Sequence, residues 1–500
     1  MVNSIQRSPP MKLGRISKYT LGTALVLVSV PQTTLWAQAV QTVQAISQKD
    51  KDEGAKYHPQ LMAEFGGAMS GPYADYVGAV GKKIAVQSGL SNSSSDFTVT
   101  LLNSSVNNAF AIPGGYVYST RQLVALMNNE AELAGVLGHE VGHVAARHSA
   151  KRQGNATKNQ VIGIGGALLA GVLLGNKSQV GQLLQKGFLQ GSQLLTLKYS
   201  RSQENEADAL GVQYLKKAGY DPRAMSTVLL GLANQNALDA RMMGTSDQVP
   251  AWASSHPDPA SRVRTTQNLA GTVTGITNRD LFLTRINGMT YGDSAEQGFV
   301  DGRKFAHPLY KMGFEAPSGY FLVNGTRAVA IGGQGGKGQF TTAQFTGDLD
   351  AYVRTAFNTF GQANQVQLNP SSIERTTVNG IQAAYGVSRV ASGSGQVDVT
   401  VFAYQWDAST AYHFITITQA GANPFQPMFA SMKRLTTAEA AALKARKLVV
   451  LTVKKGDTVQ SLSTRMAYTD APLDRFRVLN GLPASTTTLT VGQKVKIVTY

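Results

Sequence analysis

His139-Glu140-Val141-Gly142-His143 decides how the rest of this chain is read. The segment sits in a run from Asn129 to about His148 where Leu133, Val136, Leu137, Val141 and Val144 recur at helical spacing. Helical residues four apart share one face, so His139 and His143 can aim two ring nitrogens at a single Zn²⁺. Glu140 projects round the helix, where it can take a proton from metal-bound water rather than bind the metal.

A catalytic zinc needs three protein ligands and one open position. Ser200-Arg201-Ser202-Gln203-Glu204-Asn205-Glu206-Ala207-Asp208 opens a second helical stretch, in which Glu204 and Asp208 again share a face. Glu204 is the expected third ligand, since two His and one Glu form a known set. Asp208 can accept a hydrogen bond from a ligand imidazole and fix its tautomer, and Glu206 is expected to point away from that face.

The composition narrows the chemistry. The chain has no cysteine, which excludes disulfides, thiolate metal sites and a cysteine nucleophile, so any metal must be held by His and carboxylate. Residues 1–39 have the layout of a cleavable secretory signal: Arg7, Lys12, Arg15 and Lys18, then apolar Leu21 to Val30, then Ala37-Gln38-Ala39. Its removal takes four of the 16 net positive charges and leaves +12. No basic run or nucleic-acid motif accompanies that charge, so nucleic acid is not an expected partner.

The remaining segments set the expected organisation. Residues 40 to about 95 read as helical, Phe97 to Leu102 as a strand, and Asn107 to Tyr118 as strand, Pro-Gly-Gly turn and strand. Val161 to Gly175 is apolar and Gly-rich but too short to cross a bilayer as a helix, which points to a buried or membrane-grazing hairpin. Leu183 to Lys198 and Asn205 to Ala218 read as helices. After about residue 270 short β-like runs dominate, with one helix near Leu349 to Phe360, a Gly-rich loop at Gly332 to Gly338 and a short helical linker at Ala438 to Lys447.

Four of these motifs, Asn108-Ala109-Phe110-Ala111-Ile112-Pro113-Gly114-Gly115, the His139 pentapeptide, Glu204 to Asp208, and His256-Pro257 with Arg262, occur in the order found in BepA-like periplasmic zinc metallopeptidases. Those HExxH gluzincins are relatives of HtpX, Oma-type and CAAX prenyl peptidases. The resemblance covers roughly residues 45 to 270. It implies that Glu204 is the third ligand with Asp208 in support, and that His256 sits near the metal as a regulatory fourth ligand or a transition-state donor. It also implies that Arg262 shares that subsite and that the strand around Asn108, Ala109 and Phe110 lines a substrate cleft. Helical repeats that follow the peptidase in BepA have no counterpart between 270 and 440 here. The tail, Leu451 to Val459 with Phe476 to Leu482 and Val491 to Ile497, resembles a LysM module, which implies binding to N-acetylglucosamine-containing peptidoglycan.

The expected architecture is multidomain α+β. It comprises a signal peptide at 1–39, a mainly helical zincin-like peptidase domain with a small sheet at 40–270, an α/β domain resembling the PsbP sandwich at 271–440, and a linker with a small βααβ LysM-like module at 441–500. The expected function is a periplasmic endopeptidase with one Zn²⁺ per chain and Glu140 as general base, acting on misfolded or stalled envelope proteins. Peptidoglycan is an expected partner through the tail, and a membrane surface through 161–175. A chaperone-like assembly factor with little turnover and a cell-wall hydrolase are the competing readings.

Overall fold

The computed structural model describes residues 45–148, 199–242, 256, 258–364, 366–392 and 395–500. The expected signal peptide, the apolar segment 161–175 and the helix expected at 183–198 lie outside the described residues.

Two helices begin the described chain, α1 (Gln48–Glu64) and α2 (Pro72–Ala85). Ser47 and Asp50 form a reciprocal capping box at the start of α1. A three-stranded sheet follows, in the order β1 (Thr98–Leu102), β3 (Tyr116–Thr120), β2 (Ala109–Ile112). β3 pairs parallel to β1 and antiparallel to β2. Gly114 and Gly115 make the β2–β3 turn at φ of 89° and 83°, values only glycine adopts without strain.

Helix α3 (Arg121–Leu126) then leads to α4 (Glu130–Ala145), which carries the pentapeptide. α4 is buried from Glu130 through His143, its polar Glu and His side chains included. It packs against α5 (Arg201–Lys217), α6 (Ala224–Met242) and α2. Glycines set the α4–α5 crossing. A Cβ on Gly142 would lie 3.1 Å from the Ala207 carbonyl oxygen, and one on Gly211 would lie 3.2 Å from the His139 nitrogen. Each mid-helix glycine costs about 1 kcal/mol relative to alanine, and the return is a backbone approach that brings the side chains of two helices to one point.

After α7 (Pro259–Ala270), the segment with α8 (Arg279–Ile286) and β4 (Thr290–Tyr291) stays with this core, where Phe282, Leu283, Ile286 and Met289 are buried. The middle region holds a seven-stranded antiparallel sheet in the order β11 (Ile373–Val378), β12 (Ile381–Ser392), β13 (Gly395–Gln405), β14 (Thr410–Gln419), β10 (Gly336–Gln344), β9 (Val329–Gly333), β8 (Tyr320–Asn324). The helix α9 (Leu349–Asn364) covers one face through Val353, Phe357 and Phe360. On the other face lie α10 (Gln426–Ser431) and strands β5 (Phe299–Asp301), β6 (Lys304–His307), β7 (Met312–Glu315) and β15 (Lys433–Arg434). The Gly-rich loop expected at 332–338 is instead the end of one hairpin. Gly333 pairs with Gly336 and Gly332 with Lys337, because strands tolerate glycine where a neighbouring side chain needs the space, as Tyr320 does at Gly333.

The helix expected to link the tail is α11 (Thr437–Ala442), and the chain is already a strand by Arg446. The tail runs β16 (Arg446–Thr452), α12 (Val459–Ser463), α13 (Pro472–Leu479) and β17 (Lys494–Thr499), with β16 between β17 and β4. It does not stand apart. Leu448, Leu462, Phe476 and Ile497 belong to the same apolar core as Val124, Leu133 and Leu137. The Lys496 ammonium is fully buried and donates to the carbonyls of Ala125 (2.8 Å), Leu126 (3.1 Å) and Met127 (2.6 Å), the end of α3. A cation there meets the negative end of a helix.

No helix among the described residues is long and apolar enough to cross a membrane.

Candidate metal centre

Four of the seven histidines, His139, His143, His148 and His256, gather where α4 meets α5 and the start of α7. α4 starts at an Asn129 cap whose side chain accepts from the Glu132 backbone N–H at 2.9 Å. α5 starts at a Ser200–Gln203 capping box. These two caps fix helix phase, and phase places His139 and His143 opposite Glu204.

The Nε2 atoms of His139 and His143 are 3.0 Å apart. Glu204 brings Oε1 to 3.3 Å from His143 Nε2 and Oε2 to 3.6 Å from His139 Nε2. Three ligands bound at about 2.0–2.1 Å in a tetrahedral shell stand about 3.3 Å from each other, so the spacing suits one small cation. The donor set suits it too. An ionised carboxylate and imidazole lone pairs are all acceptors, and acceptors converging in a buried space need a positive centre among them. His139, His143, Glu204 and His256 can all reach one such centre.

His139 Nδ1 lies 2.9 Å from Asp208 Oδ1. Arg262 grips Asp208 with two hydrogen bonds, at 2.7 and 2.6 Å, and places Nη1 2.5 Å from Glu204 Oε2. All these groups are buried. Burial by itself disfavours the Glu204 anion, but the charge and hydrogen bond of His256 outweigh it and hold the carboxyl well below the usual range. Asp208 is also lowered. Burial opposes its ionisation, and the Arg262 and His139 hydrogen bonds prevail.

Glu140 behaves in the opposite way. Burial raises its carboxyl above the ordinary value, against the pull of His256 and His139. Its Oε1 makes no hydrogen bond among the described residues and lies 3.4 Å from His256 Nε2. His256 turns its Nδ1 to Glu204, at 3.1 and 3.2 Å, and to His139 Nε2 at 3.3 Å.

The strand residues present a different picture. Asn108, Ala109 and Phe110 are buried. Phe110 stacks on Tyr118 with centroids 4.6 Å apart and meets Phe65 at 5.0 Å, so its side chain fills a small aromatic core rather than lining a cleft. β2 is an edge strand of its sheet, pairing only with β3 among the described residues.

Three further residues join the cluster. His148 Nδ1 lies 2.8 Å from His143 Nδ1, its Nε2 lies 3.1 Å from Glu206 Oε2, and Tyr199 stacks on the His143 ring at 3.6 Å. Sequence spacing does not reveal His148, which follows α4 past Arg147 at φ 54°, off the helical register. Glu206 points away from the Glu204 face as expected, and it ends on His148.

A protein-family model described as Peptidase family M48 matches residues 73–270, and the LysM domain model matches residues 451–498. The chain is 31% identical over 195 residues to the beta-barrel assembly-enhancing protease of Escherichia coli O157:H7, covering 39% of this chain and 38% of that one. It is 31% identical over 211 residues to the mitochondrial metalloendopeptidase OMA1 of Schizosaccharomyces pombe, covering 41% of this chain and 57% of the other. The chain thus spans well under two thirds of the length of these relatives. Among solved structures, cyanobacterial PsbP from Synechocystis sp. PCC 6803 matches 29% of this chain and 98% of its own, at 11% identity and a TM-score of 0.22.

Proposed function

We propose that this chain, which carries a peptidase family M48 domain at residues 73–270 and a LysM domain at residues 451–498, is a zinc-dependent endopeptidase of the cell envelope. The observation that carries the reading is the convergence of His139, His143 and Glu204 on one point, with the buried Glu140 carboxylate beside it, 3.4 Å from His256. Those three residues would hold one Zn²⁺. When bound, the metal lowers the pKa of its water and polarises a peptide carbonyl.

The chain's own residues do the rest. Glu140, whose carboxyl burial raises above its ordinary value, accepts a proton from the attacking water and returns it to the leaving amine. Asp208 and Arg262 hold His139 and Glu204 in place. His256 faces both Glu140 and Glu204, so it serves either as a latch that occupies the open position or as a donor to the developing oxyanion. A substrate peptide would lie extended along the edge strand β2 near Ala109, held by backbone hydrogen bonds and with little side-chain selectivity.

The expected layout supports an envelope location. A signal at 1–39 would export the chain, and the LysM domain would bind peptidoglycan. Misfolded or stalled envelope proteins are the proposed substrates, and a PsbP-like accessory domain separates the two modules. The experiment is metal removal: dialysis against a chelator should abolish cleavage of an unfolded protein, and stoichiometric Zn²⁺ should restore it. Cleavage that persists in metal-free protein would overturn the proposal.

A further inference from the structure

The geometry assigns His148 and Glu206 a shared positioning role: they form a relay from the protein surface that holds His143 in the tautomer whose bare Nε2 faces His139 and Glu204. The inference rests on the reading of His143 as a ligand.

Two ring nitrogens 2.8 Å apart need one proton between them. A neutral His143 that offers its Nε2 lone pair toward Glu204 and His139 carries its proton on Nδ1, so it must be the donor in that contact. His148 must then accept through a bare Nδ1 and carry its own proton on Nε2. That proton points at Glu206 Oε2, 3.1 Å away, and a carboxylate can only accept. Read from the other end, the Glu206 anion sets His148, and His148 sets His143. Tyr199, stacked on the His143 ring face, limits rotation of the ring.

The two histidine ligands are therefore oriented by different devices. His139 meets a buried carboxylate directly, at Asp208, and Arg262 anchors that carboxylate. His143 is set through an intervening imidazole by a carboxylate that is 42% exposed. Because Glu206 reaches solvent, it can be changed without opening the core.

The test is Zn²⁺ affinity of the full chain, measured by competition with a chromophoric chelator on metal-free protein. Glu206→Lys replaces the acceptor with a donor and favours the opposite tautomer throughout the relay, and it should weaken Zn²⁺ binding about 10- to 100-fold. Glu206→Gln, whose amide oxygen accepts the same N–H, should stay within about threefold of the wild type. His148→Phe keeps a ring but removes the acceptor, and it should match Glu206→Lys. Nitrogen-15 spectra of labelled histidine should show His148 protonated on Nε2 in the parent and on Nδ1 in Glu206→Lys. Wild-type affinity in both Glu206→Lys and His148→Phe, with loss in His143→Ala, would overturn the relay while leaving the metal site intact. No Zn²⁺ binding by the parent chain would instead overturn the reading of the site.

Discussion

His139 Nδ1 lies 2.9 Å from the Oδ1 of Asp208, and that one contact determines which way the imidazole can act. Asp208 is held ionised by Arg262, so its charge favours a proton on Nδ1 and with it an Nε2 lone pair facing His143 and Glu204. Asp208→Ala removes this constraint and should weaken Zn²⁺ binding about 10- to 100-fold. Chelator competition reads the change directly, and an unaltered affinity would refute the orienting role.

His256 contacts the third expected ligand and the expected base at once, which is the arrangement of a latch over a resting site. His256→Ala should therefore raise the initial rate of cleavage of an unfolded protein. A fall in kcat at unchanged KM would reassign His256 as a transition-state donor.

Lys496 ties the tail to the end of α3, just ahead of α4. Burial pushes its ammonium pKa down to about 7, and the Glu132 carboxylate in the first turn of α4 opposes that shift. Lys496→Met would remove the donor from the buried carbonyls of Ala125 and Met127 at the end of α3, each loss costing roughly 1–3 kcal/mol, while Leu126 keeps the Asn128 amide. Hydrogen exchange in residues 121–137 should accelerate in this variant. Unchanged protection there would mean that the tail packs on the peptidase without stabilising it.

The local signals in the sequence carried far. Period-3.6 patterning located α4, the segment opening at Ser200 located α5, and the Pro-Gly-Gly turn located the β2–β3 hairpin, because each depends on residues close in the chain. The i and i+4 spacings also put His139 with His143 and Glu204 with Asp208. His148 and Tyr199 were not legible, since their roles arise only when the end of α4 meets the start of α5, and no fixed sequence interval encodes that meeting. The Phe110 side chain was illegible for a related reason. Alternation on a strand says that one face is apolar, but not whether a cleft or an aromatic cluster lies against it. The tail likewise reads as a separate module, and only Lys496 and the shared apolar core show it fused to the peptidase.

The central claim is that Glu140 moves the proton in a peptide hydrolysis at a metal site it does not itself build. Glu140→Gln is the most direct measurement, with bound Zn²⁺ and cleavage of an unfolded protein followed on the same preparation. The account predicts zinc retained near one equivalent per chain and a rate lowered at least 10²-fold. Cleavage at the wild-type rate by the zinc-loaded variant would contradict it.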